Sequence, residues 1–106
     1  MVTFDEFKKL DLRIGVITEV VDCPNADKLY IIKIDVGGEV KQSVAGVKKS
    51  YRPEELQGRR VVVLNNLQPT TIRGVESHVM ILVASDETGL SILAPDKEVK
   101  AGSKIS

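Results

Sequence analysis

The chain has 106 residues and a mass of 11.6 kDa, of which 42% are hydrophobic and 28% charged, so both a two-domain enzyme and a disordered chain are excluded. No apolar run approaches the ~20 residues of a membrane helix, the start has no signal-peptide pattern, and the single cysteine forms no internal disulfide. We therefore expect one domain over residues 1–106, in the cytoplasm and without a membrane partner.

Positive charge is concentrated in the middle of the sequence, although fifteen basic and fifteen acidic side chains balance overall. Residues 40–75 carry seven basic side chains against two acidic ones, a net charge of +5. Residues 1–39 and 76–106 have net charges of −3 and −2. The basic segment can form one positive face that suits a polyanion, but solvated strand edges also cluster charge by chance. Charge alone leaves both interpretations open.

The first half of the chain predicts one short helix followed by three strands. Thr3 and Glu6 fit a capping box, and apolar residues at helical spacing predict a helix over about residues 4–10. A shift in the alternation of apolar residues near residues 15–17 predicts a bulge in the first strand. The strands are residues 12–21, 29–36 and 39–45, joined by a turn at 23–27 and a tight hairpin at Gly37-Gly38.

The second half predicts a second short helix and more strands. Residues 46–51 form a basic loop, after which Pro53 suits the first position of a helix and Gly58 suits its end. The next strands are predicted at residues 60–67, 78–84 and 90–93, with a loop at 68–74 and a final segment ending near Ile105. Short strands with a helix between the third and fourth predict an all-β, five-stranded antiparallel barrel of the oligonucleotide/oligosaccharide-binding (OB-fold) class.

Side chains that enzymes and metal sites need are sparse. His78 is the only histidine and Cys23 the only cysteine, and neither has a partner at catalytic or metal-ligand spacing. We interpret His78 as a strand-end residue that reaches solvent and Cys23 as a small buried residue. No catalytic residue, metal or cofactor is predicted, and a small enzyme is the weakest of the functions considered.

Aromatic side chains that could stack on bases are also few. The chain has no tryptophan, Phe4 and Phe7 belong to the N-terminal helix, and only Tyr30 and Tyr51 are left. Barrels that bind single-stranded nucleic acid stack bases on exposed aromatics. A folded RNA is bound through phosphates, 2′-hydroxyls and shape, which fits the basic segment better.

Three stretches of sequence occur together in a fixed order. Residues 11–17 (DLRIGVI) are followed by residues 24–30 (PNADKLY), and then by residues 65–69 (NNLQP) and 72–80 (IRGVESHVM). Together they resemble the tRNA-binding domain found at the C-terminus of many methionyl-tRNA synthetases and as a free-standing tRNA-binding protein. The resemblance covers residues 4–106 and implies the OB-fold barrel, with extra terminal elements that pair two copies into a homodimer.

This resemblance implies a non-catalytic module that binds the outer corner of tRNA by shape and phosphate contacts. It also implies a partnership with the catalytic chain of methionyl-tRNA synthetase, in cis or in trans. The implied tRNA contacts are Lys28, Asn65 or Asn66, and Arg73, Ser77 and Met80 of an Arg-Gly-x-x-Ser-x-x-Met motif. Charge clustering alone adds Lys48, Lys49 and Arg52. The chain departs from the family pattern at Cys23, usually histidine, and at Val79, often glycine.

A related dimeric family implicated in bacterial secretion resembles the opening of the chain, over residues 7–15. It implies an alternative function, in which a chaperone-like dimer binds unfolded peptides in an apolar groove. Residues 26–30 and 72–74 fit that family less well. For either dimer, the predicted interface is the N-terminal helix and the segment after Pro95, because a barrel with open edges needs covering.

Overall fold

A five-stranded antiparallel sheet curls into a barrel in the computed structural model, which describes residues 1–106. The elements in chain order are α1 (Phe4–Phe7), β1 (Leu12–Asp22), β2 (Tyr30–Asp35), β3 (Val40–Ala45), α2 (Pro53–Leu56), β4 (Arg60–Leu64), β5 (Thr70–Ile72), β6 (Val75–Ser77), β7 (Met80–Ile81), β8 (Val83–Asp86) and β9 (Gly89–Ile92). The barrel sheet has the order β3-β2-β1-β4-β7, while β5–β6 and β8–β9 form separate hairpins. Neither helix is long and apolar enough to cross a membrane.

Gln42 brings the two edges of the sheet together. Its main-chain oxygen accepts a hydrogen bond from His78 N at 2.8 Å, and its side-chain Nε2 donates to Glu76 O at 2.8 Å. These bonds join β3 to β6 and to His78, which lies between β6 and β7, so the barrel is nearly closed. With α2 lying between β3 and β4, the predicted all-β OB-fold barrel is confirmed.

The barrel interior is filled by β-branched side chains that alternate along the strands, as a half-buried strand requires. Ile32 and Ile34 of β2 and Val61 and Val63 of β4 are fully buried, and Leu56 of α2 packs into the same core. Gly15 lets β1 approach β2 closely, because a Cβ at this position would collide with Ile34 Cγ2. The core therefore sets the register of the strands that carry the candidate site.

The N-terminal half differs from its prediction at the end of the helix and at the position of the bulge. The capping box is confirmed, since Thr3 Oγ1 accepts from Glu6 N at 3.1 Å and Glu6 Oε1 accepts from Thr3 N at 3.0 Å. The helix ends at Phe7 and not at residue 10, because the hydrogen bonds of the next turn span three residues, as in a 3₁₀ turn, and not the four of an α-helix. The bulge in β1 lies between Ile17 and Glu19, just beyond its predicted place.

Two predictions in the C-terminal half are wrong. Residues 68–74 are not a plain loop, because residues 70–72 pair with residues 75–77 as a hairpin. The predicted strand over residues 78–84 is divided at Leu82, whose N donates to Val62 O at 2.9 Å while the chain passes from the barrel to the β8–β9 hairpin. The final segment runs along the start of β1 and forms one isolated bridge with it, between Arg13 and Lys104.

Candidate nucleic-acid interface

Six of the nine predicted tRNA contacts line three neighbouring clefts between β3, the β5–β6 hairpin and β7. We call these the cationic cleft, which holds Lys28 and Arg73, the apolar cleft, which holds Ser77 and Met80, and the polar cleft, which holds Asn65 and Asn66. Leu67 lines both the polar and the apolar clefts. Residues that are far apart in sequence are therefore brought to one surface.

The cationic cleft, of about 340 Å³, brings together the two cations that the motifs single out. Lys28 lies in the turn between β1 and β2, and Arg73 lies at the tip of the β5–β6 hairpin. Both side chains are exposed, and none of the ion pairs in the chain includes either of them. Asp27 is the one acidic residue that lines the cleft. Two cations without acidic partners are thus available to an anionic ligand.

The backbone at Arg73 has an uncommon conformation. Ile72 pairs with Val75 across a two-residue turn, in which Arg73 has φ +53° and Gly74 has φ +79°. Positive φ at both positions is the pattern of a type I′ hairpin turn, where asparagine, aspartate or glycine is usual. A left-handed conformation costs a residue with a Cβ about 1–2 kcal/mol. Such strain is found preferentially at functional sites.

The apolar cleft, of about 410 Å³, adjoins the cationic cleft along two walls. One wall contains Ile72, the residue before Arg73. The other contains Gly46, where an added Cβ would lie 3.7 Å from Leu29 Cδ2 of the cationic cleft. Met80, 43% exposed, stands at the opening of the apolar cleft.

Ser77 is only 3% exposed, and its hydroxyl is used within the fold. Its Oγ accepts from Val44 N at 3.0 Å and donates to Val79 O at 3.1 Å. Val79, where the family often has glycine, is fully buried in the core. In this geometry Ser77 fixes the β5–β6 hairpin to β3 and thereby positions Arg73.

The two asparagines of the polar cleft hold the N-terminal segment against the end of β4. Asn66 Oδ1 accepts from Asp11 N at 2.9 Å, and Asn66 Nδ2 donates to Lys9 O at 2.8 Å. Asn65 Nδ2 donates to Asp11 Oδ2 at 2.9 Å, whereas Asn65 Oδ1 is buried without a hydrogen-bond partner. The hydrogen bond from Asn65, assisted by Arg13, lowers the pKa of Asp11 below its ordinary value.

Lys48 and Lys49, predicted from charge clustering alone, do not line the three clefts. Lys48 Nζ pairs with Asp22 Oδ1 at 3.2 Å, and Lys49 is exposed. Arg52 lies at the start of α2, where its Nε is 3.4 Å from Glu55 Oε1. Several charges of the basic middle segment are therefore compensated within the chain.

Aromatic side chains offer little stacking surface. Tyr30 is buried, which raises its pKa, and its hydroxyl donates to Tyr51 O at 2.7 Å. Tyr51 Oη accepts from Ile92 N at 3.0 Å, and the Arg59 guanidinium lies 5.4 Å from its ring centre. Phe4 of α1 is the exception, because it is 69% exposed.

The lone cysteine and histidine are placed as their sequence context indicates. Cys23 is buried, as predicted. The side chain of His78 is partly exposed, as predicted, and its Nε2 lies 2.7 Å from Glu76 Oε1.

Sequence reasoning missed several residues of this surface. Lys41 lines the polar cleft with His78, and its Nζ donates to Asn65 O at 3.4 Å. The charge imbalance of residues 40–75 includes Lys41, and its place on β3 was the signal that could have selected it. The apolar walls at Gly46 and Ile72 have no such signal, because they come from separate segments that only the closed barrel brings together.

Methionine–tRNA ligases from several organisms match nearly the whole chain. Methionine–tRNA ligases from Pyrococcus furiosus and Thermococcus kodakarensis are 58% and 59% identical over 104 residues. Each alignment covers 98% of this chain and 14% of the ligase, so the chain spans a small part of these relatives.

Solved structures of similar length superpose on the whole chain. A MetRS related protein from Pyrococcus horikoshii has a TM-score of 0.92 at 29% identity, covering 100% of this chain and 98% of that one. The CsaA chaperone protein from Picrophilus torridus has a TM-score of 0.92 at 34% identity and is covered over 100% of both chains.

A family model described as "Putative tRNA binding domain" matches residues 12–104. The resemblance deduced from the three motifs is thereby confirmed, as is the class of non-catalytic binding domain. The chain belongs to the putative tRNA-binding domain family.

Proposed function

We propose that the chain is a non-catalytic module that binds the outer corner of tRNA through shape and phosphate contacts. The whole of residues 1–106 acts as one unit in the cytoplasm, as a homodimer. It assists the catalytic chain of a methionyl-tRNA synthetase, in cis or as a separate subunit, by raising the concentration of tRNA near that chain. The methionine–tRNA ligase relatives support this partner.

One observation carries the proposal, namely that Lys28 and Arg73 line one cleft without acidic partners. Phosphate contacts of this kind position a protein on nucleic acid without reading its sequence. The absence of exposed tyrosine rings favours a folded RNA over a stacked single strand. Binding by a chain with zero net charge then depends on where its cations lie and not on their number.

The test reverses both charges, as Lys28→Glu with Arg73→Glu, and measures binding of total tRNA across a salt series. For the unchanged chain, the logarithm of affinity should fall linearly with the logarithm of salt concentration, and tRNA should be preferred to a DNA duplex of similar length. The double variant should lose affinity by at least about tenfold and flatten the salt slope by about two. Its circular dichroism spectrum should not change.

Arg59 provides the control for net charge. Arg59→Glu makes the same change in net charge as Lys28→Glu or Arg73→Glu alone, at an exposed residue that lines none of the three clefts and lies outside the terminal segments predicted to form the dimer interface. This control should bind tRNA nearly as the unchanged chain does, whereas each single reversal in the cationic cleft should weaken binding. Equal losses in the three single variants would show that only net charge matters, and intact binding in the Lys28/Arg73 double variant would overturn the proposed site.

A second candidate function is a dimeric chaperone that binds unfolded peptides. The apolar cleft and the likeness to CsaA, described as a chaperone, favour it. Suppression of the aggregation of a denatured test protein, together with no tRNA binding at low salt, would select this function. The cations at Lys28 and Arg73 have no evident part in it.

A further inference from the structure

We propose that the apolar cleft receives one unstacked nucleobase of the bound RNA, while Lys28 and Arg73 hold the phosphates beside it. This inference rests on the proposed function, which it extends from backbone contacts to a base-sized site. It also gives the apolar residues of the cleft, which phosphate binding does not use, a part in recognition.

The cleft has the size and lining of a site for a small flat ligand. Its volume of about 410 Å³ lies within the ~300–1,000 Å³ typical of ligand pockets. Val79 and Ile81 are buried in its lining, while Met80 and Val83 are exposed at 43% and 40%. Exposed apolar side chains grouped around a cleft mark a surface that a partner covers.

Charge decides which partner fits. The apolar and cationic clefts meet at two places, because Ile72 precedes Arg73 in the chain and Gly46 lies next to Leu29. A ligand that occupies both clefts therefore needs an apolar face and an attached anion. A nucleotide has this combination, because its base is flat and its phosphate negative. An unfolded peptide has it only where an acidic residue happens to stand next to an apolar one, whereas every nucleotide of an RNA carries both groups.

Unstacked bases need apolar surface, and at the candidate site this chain offers it in the apolar cleft, since no tyrosine or phenylalanine lines any of the three clefts. RNA-binding proteins receive the splayed bases of loops between aromatic or apolar side chains. Both tyrosines are engaged within the fold. The flexible thioether of Met80 suits a site that admits bases of different size. The exposed Thr70 supplies a hydroxyl at the same cleft for the edge of the base.

The test removes the base and leaves the phosphates. A set of tRNA transcripts, each with one abasic nucleotide at an unpaired loop position, is titrated with the chain at fixed salt. At one position the loss of the base should lower affinity by about tenfold, as removal of one stacked base does, without changing the salt slope. If every abasic transcript binds as tightly as the intact one, the base site is overturned while tRNA binding stands.

Gly46→Leu tests the same site from the protein side. Gly46 is not among the glycines with positive φ, and Leu29 Cδ2 is the one heavy atom within 4 Å of an added Cβ, so a leucine here adds bulk at the wall between the apolar and cationic clefts without removing a charge. The variant should bind intact tRNA about tenfold more weakly and should not distinguish it from the sensitive abasic transcript. Ala94→Leu, an exposed position outside the three clefts, should behave like the unchanged chain.

Failures of the two proposals are distinguishable. No binding of intact tRNA by the unchanged chain would overturn the proposed function itself. A different pattern of results would assign the cleft to peptides and overturn the base site. In that pattern an apolar unfolded peptide displaces tRNA from the unchanged chain but not from Gly46→Leu, and no abasic position changes the affinity. The abasic series uses the unchanged chain, so its result does not depend on the folding of a variant.

Discussion

Arg73 combines an unpaired positive charge with a backbone conformation that its side chain disfavours. The turn requires φ +53° at this position, where asparagine is among the residues best tolerated. A purely structural turn gains nothing from arginine. The strain therefore supports the proposal that a ligand contacts the guanidinium.

Replacing Arg73 with asparagine should separate stability from binding. The free energy of unfolding should stay equal or rise by up to about 1 kcal/mol, because asparagine adopts the left-handed conformation more easily. The salt slope of tRNA binding should flatten by about one, since one phosphate contact is lost. Arg73→Lys, which keeps the charge, should retain most of that slope. A loss of stability with unchanged binding would assign Arg73 to the turn alone.

At the scale of elements, the polar cleft joins the N-terminal segment to β4 through a charged hydrogen bond. Asn65 donates to the Asp11 carboxylate and lowers the pKa of Asp11 from its ordinary 3.8. A carboxyl with a lowered pKa in the folded state stabilises the fold above its unfolded pKa and loses that contribution as pH falls through the folded value. This tether is therefore strongest at neutral pH and lost in acid.

Asn65→Ala should accordingly destabilise the chain more at neutral pH than at an acidic pH below the lowered pKa of Asp11, where its carboxyl is protonated in both proteins. Urea unfolding at the two pH values measures this difference. Asn66→Ala is the control, because its partners are main-chain groups of Asp11 and Lys9 that do not titrate, and its effect should vary less with pH. If Asn65→Ala lowers the free energy of unfolding equally at both pH values, the role of the Asp11 carboxylate is contradicted.

The elements that could be predicted from the sequence are those with local signals. The Thr3–Glu6 capping box, the Gly37-Gly38 hairpin and Pro53 at the start of α2 each depend on neighbouring residues alone. The β5–β6 hairpin was missed because its strands have three residues each and Arg73 is atypical of the turn. Single site residues followed from motifs, whereas the clefts depend on contacts between distant segments, which no local pattern contains.

At the scale of the whole molecule, apolar side chains at the two ends of the chain are left uncovered. No residue of α1 is buried, and Phe4 is 69% exposed. The C-terminal segment follows the start of β1, where Ile14 N donates to Ser103 O at 2.9 Å, and Val99 is among its exposed apolar residues. The observation fits the predicted dimer interface, since a solvent-exposed phenylalanine on a short helix is stabilised when a second copy covers it.

Phe4→Glu should convert the proposed homodimer to a monomer, because it places a charge on α1, which is part of the predicted dimer interface. Sedimentation equilibrium measures the mass, and the circular dichroism spectrum should be unchanged, since Phe4 contributes nothing to the core. Two copies supply two cationic clefts to one tRNA, so the monomer should bind it more weakly and with a flatter salt slope. Val21→Glu, at an exposed valine of β1 outside the three clefts, makes the same charge change and should leave the dimer intact. If the unchanged chain sediments as a monomer, the proposed dimer is overturned. The tRNA affinity would then come from the binding surface of a single copy.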